Sequence, residues 1–333
     1  MNIAARRAGP GEYHGRAGKA ERKTMSTEDD FATQSNDVWP PLPYEAWGDT
    51  CATLQLWMQI VGKIRLALMP PINHTWSVTL YPTARGLTTS PMPHGTRMLQ
   101  IDFDFIDHSL ILETSDGGRV ALRLKPMTVA AFYRQVMAAL DELHAPVRIW
   151  PVPVEIADPI PFENDQTHQA YDPEYAQRFW RVLLQTTRVF TVFRARFVGK
   201  VSLVHLFWGA LDLACTRFSG RTAPPHPSMA GLPDHVTRDA YSHEVSSCGF
   251  WPGAPGIEAM FYSYAYPEPP GYPQYPITPT QASFNKKLGE FVLPYEELRK
   301  SADPDATLLQ FLQSTYEAAA NCAGWDRAAL ETS

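Results

Sequence analysis

Twice between residues 38 and 330 the sequence runs through the same order of patterns: a long helix with apolar residues every three or four positions, a series of short alternating segments, and a closing helix. Such a chain buries one stripe of each helix against one face of each sheet, which predicts an α+β protein. In the first half Pro40, Pro41 and Pro43 introduce a helix that places Leu54, Trp57, Val61, Ile64 and Leu68 on one face, and Pro70 and Pro71 end it. Five strands are expected next, at 73–81, 84–90, 98–106, 108–114 and 118–124, the last two turning at Ser115-Asp116-Gly117-Gly118. A helix at 128–143, a strand at 147–150 and a proline-rich linker at 151–172 follow.

The second half opens with a helix at 173–196 that turns Trp180, Leu183, Leu184, Thr187 and Phe197 inward. Strands are expected near 201–208, 211–218, 243–250, 259–266 and 289–294, and a last helix starts at Asp303-Pro304, a capping residue followed by proline at the first helical position. Short identities accompany the matching order. Val61-Gly62-Lys63 and Val198-Gly199-Lys200 end the two long helices; Arg85 and His94 lie 11 and 20 residues after His74, and Arg217 and His226 lie 12 and 21 after His205. The expectation is two tandem divergent repeats, 38–150 and 173–330, each a helix, a five-stranded mostly antiparallel sheet and a helix. The second carries long Pro- and Gly-rich insertions at 219–241 and 267–287, lengths more typical of functional loops than of idle connections.

Charge and composition narrow the function classes. Of the net charge of -6, residues 1–24 contribute +4 and the remainder -10, so the body is acidic and offers no clustered basic face for nucleic acid. No apolar run reaches membrane-spanning length and no secretory h-region opens the chain, which predicts a cytoplasmic protein that does not bind a membrane. Cys51, Cys215, Cys248 and Cys322 are widely spaced, as reduced thiols are rather than a disulfide framework or a zinc knuckle. Residues 1–37 read as a disordered extension, with Met25 a natural starting point.

No phosphate-cradling glycine loop, nucleophile elbow, zinc helix or dinucleotide fingerprint is present, so no cofactor is indicated, and the polar and aromatic residues of the second half carry the functional reading. His205, Asp212 and Arg217 stand in an apolar strand context and must be paired or wet. Alternation puts His205 and Asp212 on opposite faces unless Gly209 resets the register, and an internal Asp212–Arg217 ion pair is the purely structural alternative. Around 241–253, His243 and Glu244 are an acid/base pair of which one at most faces a given cavity, and Ser246, Ser247 and Gly249 leave room beside them. Tyr262, Tyr264 and Tyr266 form a stripe, either core or an aromatic wall. A two-His, one-carboxylate metal site from His205, His243 and Glu244, with His226 or Asp212 as further ligands, is compatible with these residue types but not indicated by their spacing. His74 is expected at the interface between the halves.

Trp39-Pro-Pro-Leu-Pro-Tyr-Glu-Ala-Trp47, Asn73-His74-Thr75-Trp76, Ser242-His-Glu-Val-Ser-Ser247 and Phe261-Tyr-Ser-Tyr-Ala-Tyr-Pro-Glu-Pro-Pro270 resemble a bacterial family of about 300-residue proteins known only as a domain of unknown function. The resemblance spans about 38–330 and implies no activity, cofactor or catalytic residue. The residues themselves point to an enzyme using acid/base chemistry of hydrolase or lyase type on a small, partly apolar organic molecule. His205, His243, Glu244 and Asp212 are its candidate catalytic groups, and Arg217, Trp208, Trp251, Tyr262, Tyr264 and His74 its binding residues. A non-catalytic binding protein for a hydrophobic metabolite, and a scaffold pairing through the Pro- and Tyr-rich surface at 267–276, are the alternatives.

Overall fold

Helix α1 (Tyr44–Leu68) is buried not along one stripe but on all sides, every residue from Leu56 to Arg65 being enclosed. This computed structural model describes residues 38–227 and 234–332; the expected disordered extension 1–37 lies outside them, as does 228–233 of the first insertion. Full enclosure forces the polar residues of α1 to find partners inside. Gln59 exchanges two 2.9 Å hydrogen bonds with the backbone of Val154, and the Arg65 guanidinium donates to the carbonyl of Thr89. The segment 151–172 is thus a packed strap against α1: Tyr171 stacks on Trp57 with centroids 5.6 Å apart, and Phe162 is buried.

The first sheet comprises β1 (Tyr81–Pro82), β2 (Gly86–Thr88), β3 (Met92–His94), β4 (Arg97–Asp104), β5 (Ser109–Thr114) and β6 (Arg119–Arg123), in the order β1-β2-β4-β5-β6 with β3 also on β4. Leu99, Ile101 and Phe103 of β4 and Leu110 and Leu112 of β5 face the core. Helix α2 (Val129–Glu142) closes the half, capped by the Thr128 hydroxyl, which accepts from the Ala131 amide at 3.1 Å. Two expected strands are absent. In 73–81, His74 and Thr75 adopt left-handed φ of 58° and 61°, forming a 3-10 turn (Asn73–Thr75) instead of extended backbone, and 147–150 has no strand partner.

Helix α3 (Pro173–Ala195) starts at Asp172, whose carboxylate accepts from the Glu174 and Tyr175 amides. Its buried face runs through Phe179, Trp180, Leu183, Thr186, Phe190 and Phe193, a phase that leaves the expected Leu184 and Thr187 only half-buried. Then come β7 (His205–Phe207), β8 (Asp212–Thr222), α4 (Asp234–Ala240), β9 (His243–Trp251), β10 (Met260–Tyr266), β11 (Ser283–Asn285), β12 (Glu290–Pro294), α5 (Tyr295–Arg299), α6 (Pro304–Cys322) and α7 (Arg327–Leu330). The second sheet has the order β11-β12-β10-β9-β8-β7. The described residues therefore form an α+β fold of seven helices and two six-stranded sheets, every pairing antiparallel, with one more strand per sheet than the periodicity predicts.

Edge strands expose unpaired backbone groups, and here two such edges satisfy each other. Leu80, just before β1, and Leu206 in β7 exchange hydrogen bonds of 2.9 and 2.7 Å, joining the two sheets edge to edge. Alongside, Trp208 packs on Gly62 of α1 and its indole donates to the Val78 carbonyl at 2.7 Å. One face of the second sheet, carrying Leu213, Cys215, Arg217, Cys248, Phe250 and Phe261, is covered by aromatic residues of α3 and α6. The opposite face carries the functional candidates.

Candidate functional site

Strand pairing fixes which side chains share that opposite face. The β7–β8 hairpin pairs His205 with Ala214 and Phe207 with Asp212; β8 and β9 pair Ala214 with Gly249 and Thr216 with Ser247; β9 and β10 pair Gly249 with Tyr262 and Ser247 with Tyr264. Directly paired residues point to the same side. His205 and Asp212 therefore share a face, because the turn at 208–211, with Leu211 at φ 61°, resets the register as Gly209 allowed. Asp212 and Arg217 do not, which rules out their ion pair.

Small residues in β9 let the tyrosines lie flat across the sheet. A Cβ on Gly249 would collide with the ring and hydroxyl of Tyr262 and with the Leu213 carbonyl, so only glycine lets Tyr262 cross β9 to reach β8. There its hydroxyl donates to Asp212 Oδ2 at 2.7 Å. Tyr264 lies parallel to it, centroids 6.3 Å apart and planes at 17°, within hydrogen-bond reach of Ser247 and 3.3 Å from the hydroxyl of Tyr241. The room expected beside Ser247 and Gly249 is occupied by this tyrosine floor. The first insertion folds over one end: His226 stacks on Tyr241 at 4.2 Å, and the Tyr266 hydroxyl donates to the Pro224 carbonyl.

Three carboxylates border this floor, with Asp212 near enough to act on the other two. Asp212 is pushed up to about 6 by desolvation, against which the Tyr262 hydrogen bond works. Glu290, at the start of β12, and Glu155, in the 151–172 strap, are each pushed up to about 7 by desolvation and then by the charge of Asp212. Desolvation likewise holds Tyr262 and Tyr264 far above the usual phenol range, fully protonated donors at any physiological pH. Of the three acids Glu155 is the one solvent screens, since its side chain is exposed on one side while the other presses on Gly209. Its backbone sits in the left-handed region at φ 55°, a strained conformation held by the packed strap. Among the described residues none of the three carboxylates has an ion pair with Lys, Arg or His.

The remaining sequence candidates are distributed around this centre. Trp251 lies on the same face at the far end of β9. His205 is on that face but only 1% exposed, packed against Phe207 and Tyr81, and burial drives it down to about 3, so it is neutral and shut from solvent. His243 sits at the other end, its Nδ1 3.0 Å from Ser242 Oγ and its ring 5.8 Å from that of His74. Trp208 belongs to the junction between the sheets. Glu244 points to the helix side, paired with Arg221 at 2.7 Å and accepting from Ser219, on the wall of a cleft of about 330 Å³ under Pro267, Pro269 and Trp325. Arg217 is 1% exposed on the helix side, its guanidinium 3.5 Å from the Phe193 ring centre and 4.3 Å from that of Tyr316, bonded to the Phe193 carbonyl. Neither meets the carboxylate centre. Among the described residues no group of three or more His, Cys, Asp or Glu is arranged to hold a metal ion, and no helix is long and apolar enough to cross a membrane.

Glu155, Glu290 and Tyr241 escaped the sequence reading. Glu155 lies in a stretch without periodicity, and the register that brings Glu290 beside Tyr264 depends on closing the 267–287 insertion, which no local pattern encodes.

The motif-bearing span from Trp39 to the last helix matches one family model over residues 39–332. The chain belongs to DUF5996, a family of unknown function. Neither the curated proteins nor the solved structures give a match.

Proposed function

We propose that the tyrosine-floored face of the second sheet binds a small organic molecule bearing an amine, with its apolar part on Tyr262 and Tyr264 and its ammonium among Asp212, Glu290 and Glu155. The observation that carries this reading is a set of three carboxylates, Asp212 interacting with each of the other two, that has no ion-pair partner among the described residues. Clustered acids in a desolvated site stay charged only at a cost, so the empty site holds protons that a ligand ammonium can replace. Aromatic faces add cation–π attraction, about 0.5–2 kcal/mol for a desolvated ammonium. The glycine at 249 and the strained backbone at Glu155 both serve this arrangement rather than the core.

Acid/base catalysis on the same molecule is a second reading. Asp212 at about 6 is poised to exchange a proton near neutrality, with Tyr262 holding its carboxylate in place. Thermal-shift titrations at pH 8 with benzylamine, benzyl alcohol and benzoate test the binding claim. Benzylamine should raise the melting temperature of the wild-type chain, and Asp212→Asn should abolish most of the rise. Equal shifts by benzyl alcohol, or a benzylamine shift untouched by Asp212→Asn, would refute it.

A further inference from the structure

A second polar group on the same sheet face, toward its His243 end, takes no part in the carboxylate site. His74 is 5% exposed in a left-handed backbone conformation, followed by Thr75 in another, and the Thr75 amide donates to Asp239 Oδ2 at 3.0 Å. His74 Nδ1 lies 3.1 Å from the Asp239 carbonyl oxygen, an acceptor only, so Nδ1 carries the proton and donates. The other nitrogen, Nε2, is thereby fixed as a lone pair, and the Lys200 amine donates to it at 2.6 Å. Lys200 Nζ also stands 4.8 Å from the ring centre of Phe218 and 5.6 Å from that of Trp76, while its side chain stays exposed. An amine is thus held against a neutral imidazole beside two flat apolar faces, open to a molecule arriving from solvent.

We propose that Lys200 is a nucleophilic lysine that captures small aldehydes or ketones carrying a flat apolar group as imines. The proton balance runs through His74. Nε2 accepts a proton from Nζ, the freed amine pair attacks the carbonyl carbon, and a proton passes from the attached nitrogen to the carbonyl oxygen, which becomes the hydroxyl of a carbinolamine. The imidazolium then returns its proton to the hydroxyl, which leaves as water while the carbon–nitrogen double bond forms, and the resulting iminium nitrogen releases its last proton to solvent to leave the imine. No oxidant or further reactant is needed. Desolvation lowers both His74 and Lys200, and the charge of Asp239 opposes this for each. A purely structural Lys200, tethering the turn at His74 to the second sheet, would have the same hydrogen bond but no enhanced reactivity.

Trapping distinguishes the two. The full-length chain is incubated at pH 7 with benzaldehyde and sodium cyanoborohydride, and benzyl-lysine is quantified by peptide mass spectrometry at Lys200 and at the exposed Lys125, Lys286 and Lys287. Lys200 should be modified about 100-fold faster than these, the lower end of what a positioned proton acceptor supplies. His74→Gln should bring it down to their rate, and acetaldehyde, which lacks a ring, should show a smaller preference for Lys200. Modification of Lys200 no faster than Lys286 and Lys287 in the wild-type chain overturns the proposal without reference to any variant, and so does a rate unaffected by His74→Gln in a folded protein. Because the readout is covalent labelling of a different residue, its failure leaves the amine site standing, and failure of amine binding leaves this inference standing.

Discussion

Replacing Asp212 with asparagine keeps the size of the side chain and an acceptor for the Tyr262 hydroxyl, but removes the ionisation. Asp212 moves from an ordinary value of 3.8 to about 6 on folding. A shift of some two units corresponds to about 3 kcal/mol of differential stability. The sign follows from proton binding: between 3.8 and 6 the folded chain holds a proton that the unfolded chain has released. The contribution is therefore complete below pH 3.8 and is lost as pH rises through 6. Glu290 and Glu155 act in the same sense at somewhat higher pH. His205 pulls the other way, since the unfolded imidazole takes up a proton near 6.5 that the folded one refuses until about 3. Asp104 and Glu331, both held below their ordinary values, add stability above the normal carboxylate range and lose it only in acid. His205, Asp104 and Glu331 are common to both chains, so the difference between wild type and Asp212→Asn reports Asp212 together with the part of the Glu290 and Glu155 shifts that its charge causes, which has the same sign. Urea denaturation at intervals from pH 4.5 to 8.5 should show the variant gaining on the wild type as pH rises, by about 2 kcal/mol, the part of the shift that falls within this range. Two curves that stay parallel across that range would refute the claim that Asp212 is desolvated with no compensating cation among the described residues.

Three further substitutions or titrations probe the framework. Gly249→Ala should cost about 1–3 kcal/mol in chemical denaturation and alter the tyrosine signal in near-ultraviolet circular dichroism, because its Cβ enters the space of the Tyr262 ring and lifts it from Asp212. Gly62→Ala should cost a similar amount, about 1–3 kcal/mol, and shift tryptophan fluorescence, because its Cβ drives the Trp208 indole away from the Val78 carbonyl. In a histidine-labelled sample the imidazole of His205 should show no titration between pH 4.5 and 8.5, and assignment of that silent signal by His205→Gln checks it.

The helices and most strands were legible because their signals are local. Asp303-Pro304 opens α6 with the Asp303 carboxylate accepting from the Ala306 amide, as its residue types predict, and the alternation of 259–266 gives β10 with the tyrosines on one face. The 73–81 segment misled because its apolar residues mimic a strand, whereas His74 and Thr75 are pulled into left-handed turns toward Asp239, more than 160 residues away. Asp212, Tyr262 and Tyr264 were recognisable as a charged group and rings in an apolar context. Their partners Glu290 and Glu155 arrive through cross-strand register and a strap packed on α1, which are properties of the tertiary fold. Arg217 was read as a group that must be paired or wet and Glu244 as half of an acid/base pair with His243, yet strand alternation alone cannot say which face meets helices α3 and α6.

The state of the carboxylates can be read directly by carbon-13 NMR of the chain labelled at its Asp and Glu carboxyl groups, titrated from pH 3 to 9, with Asp212→Asn and Glu290→Gln providing assignments. Midpoints of about 6 for Asp212 and about 7 for Glu290 are expected. Midpoints for both at ordinary carboxylate values would mean that water or an unseen cation already balances them, and the site would lose its reason to bind an amine.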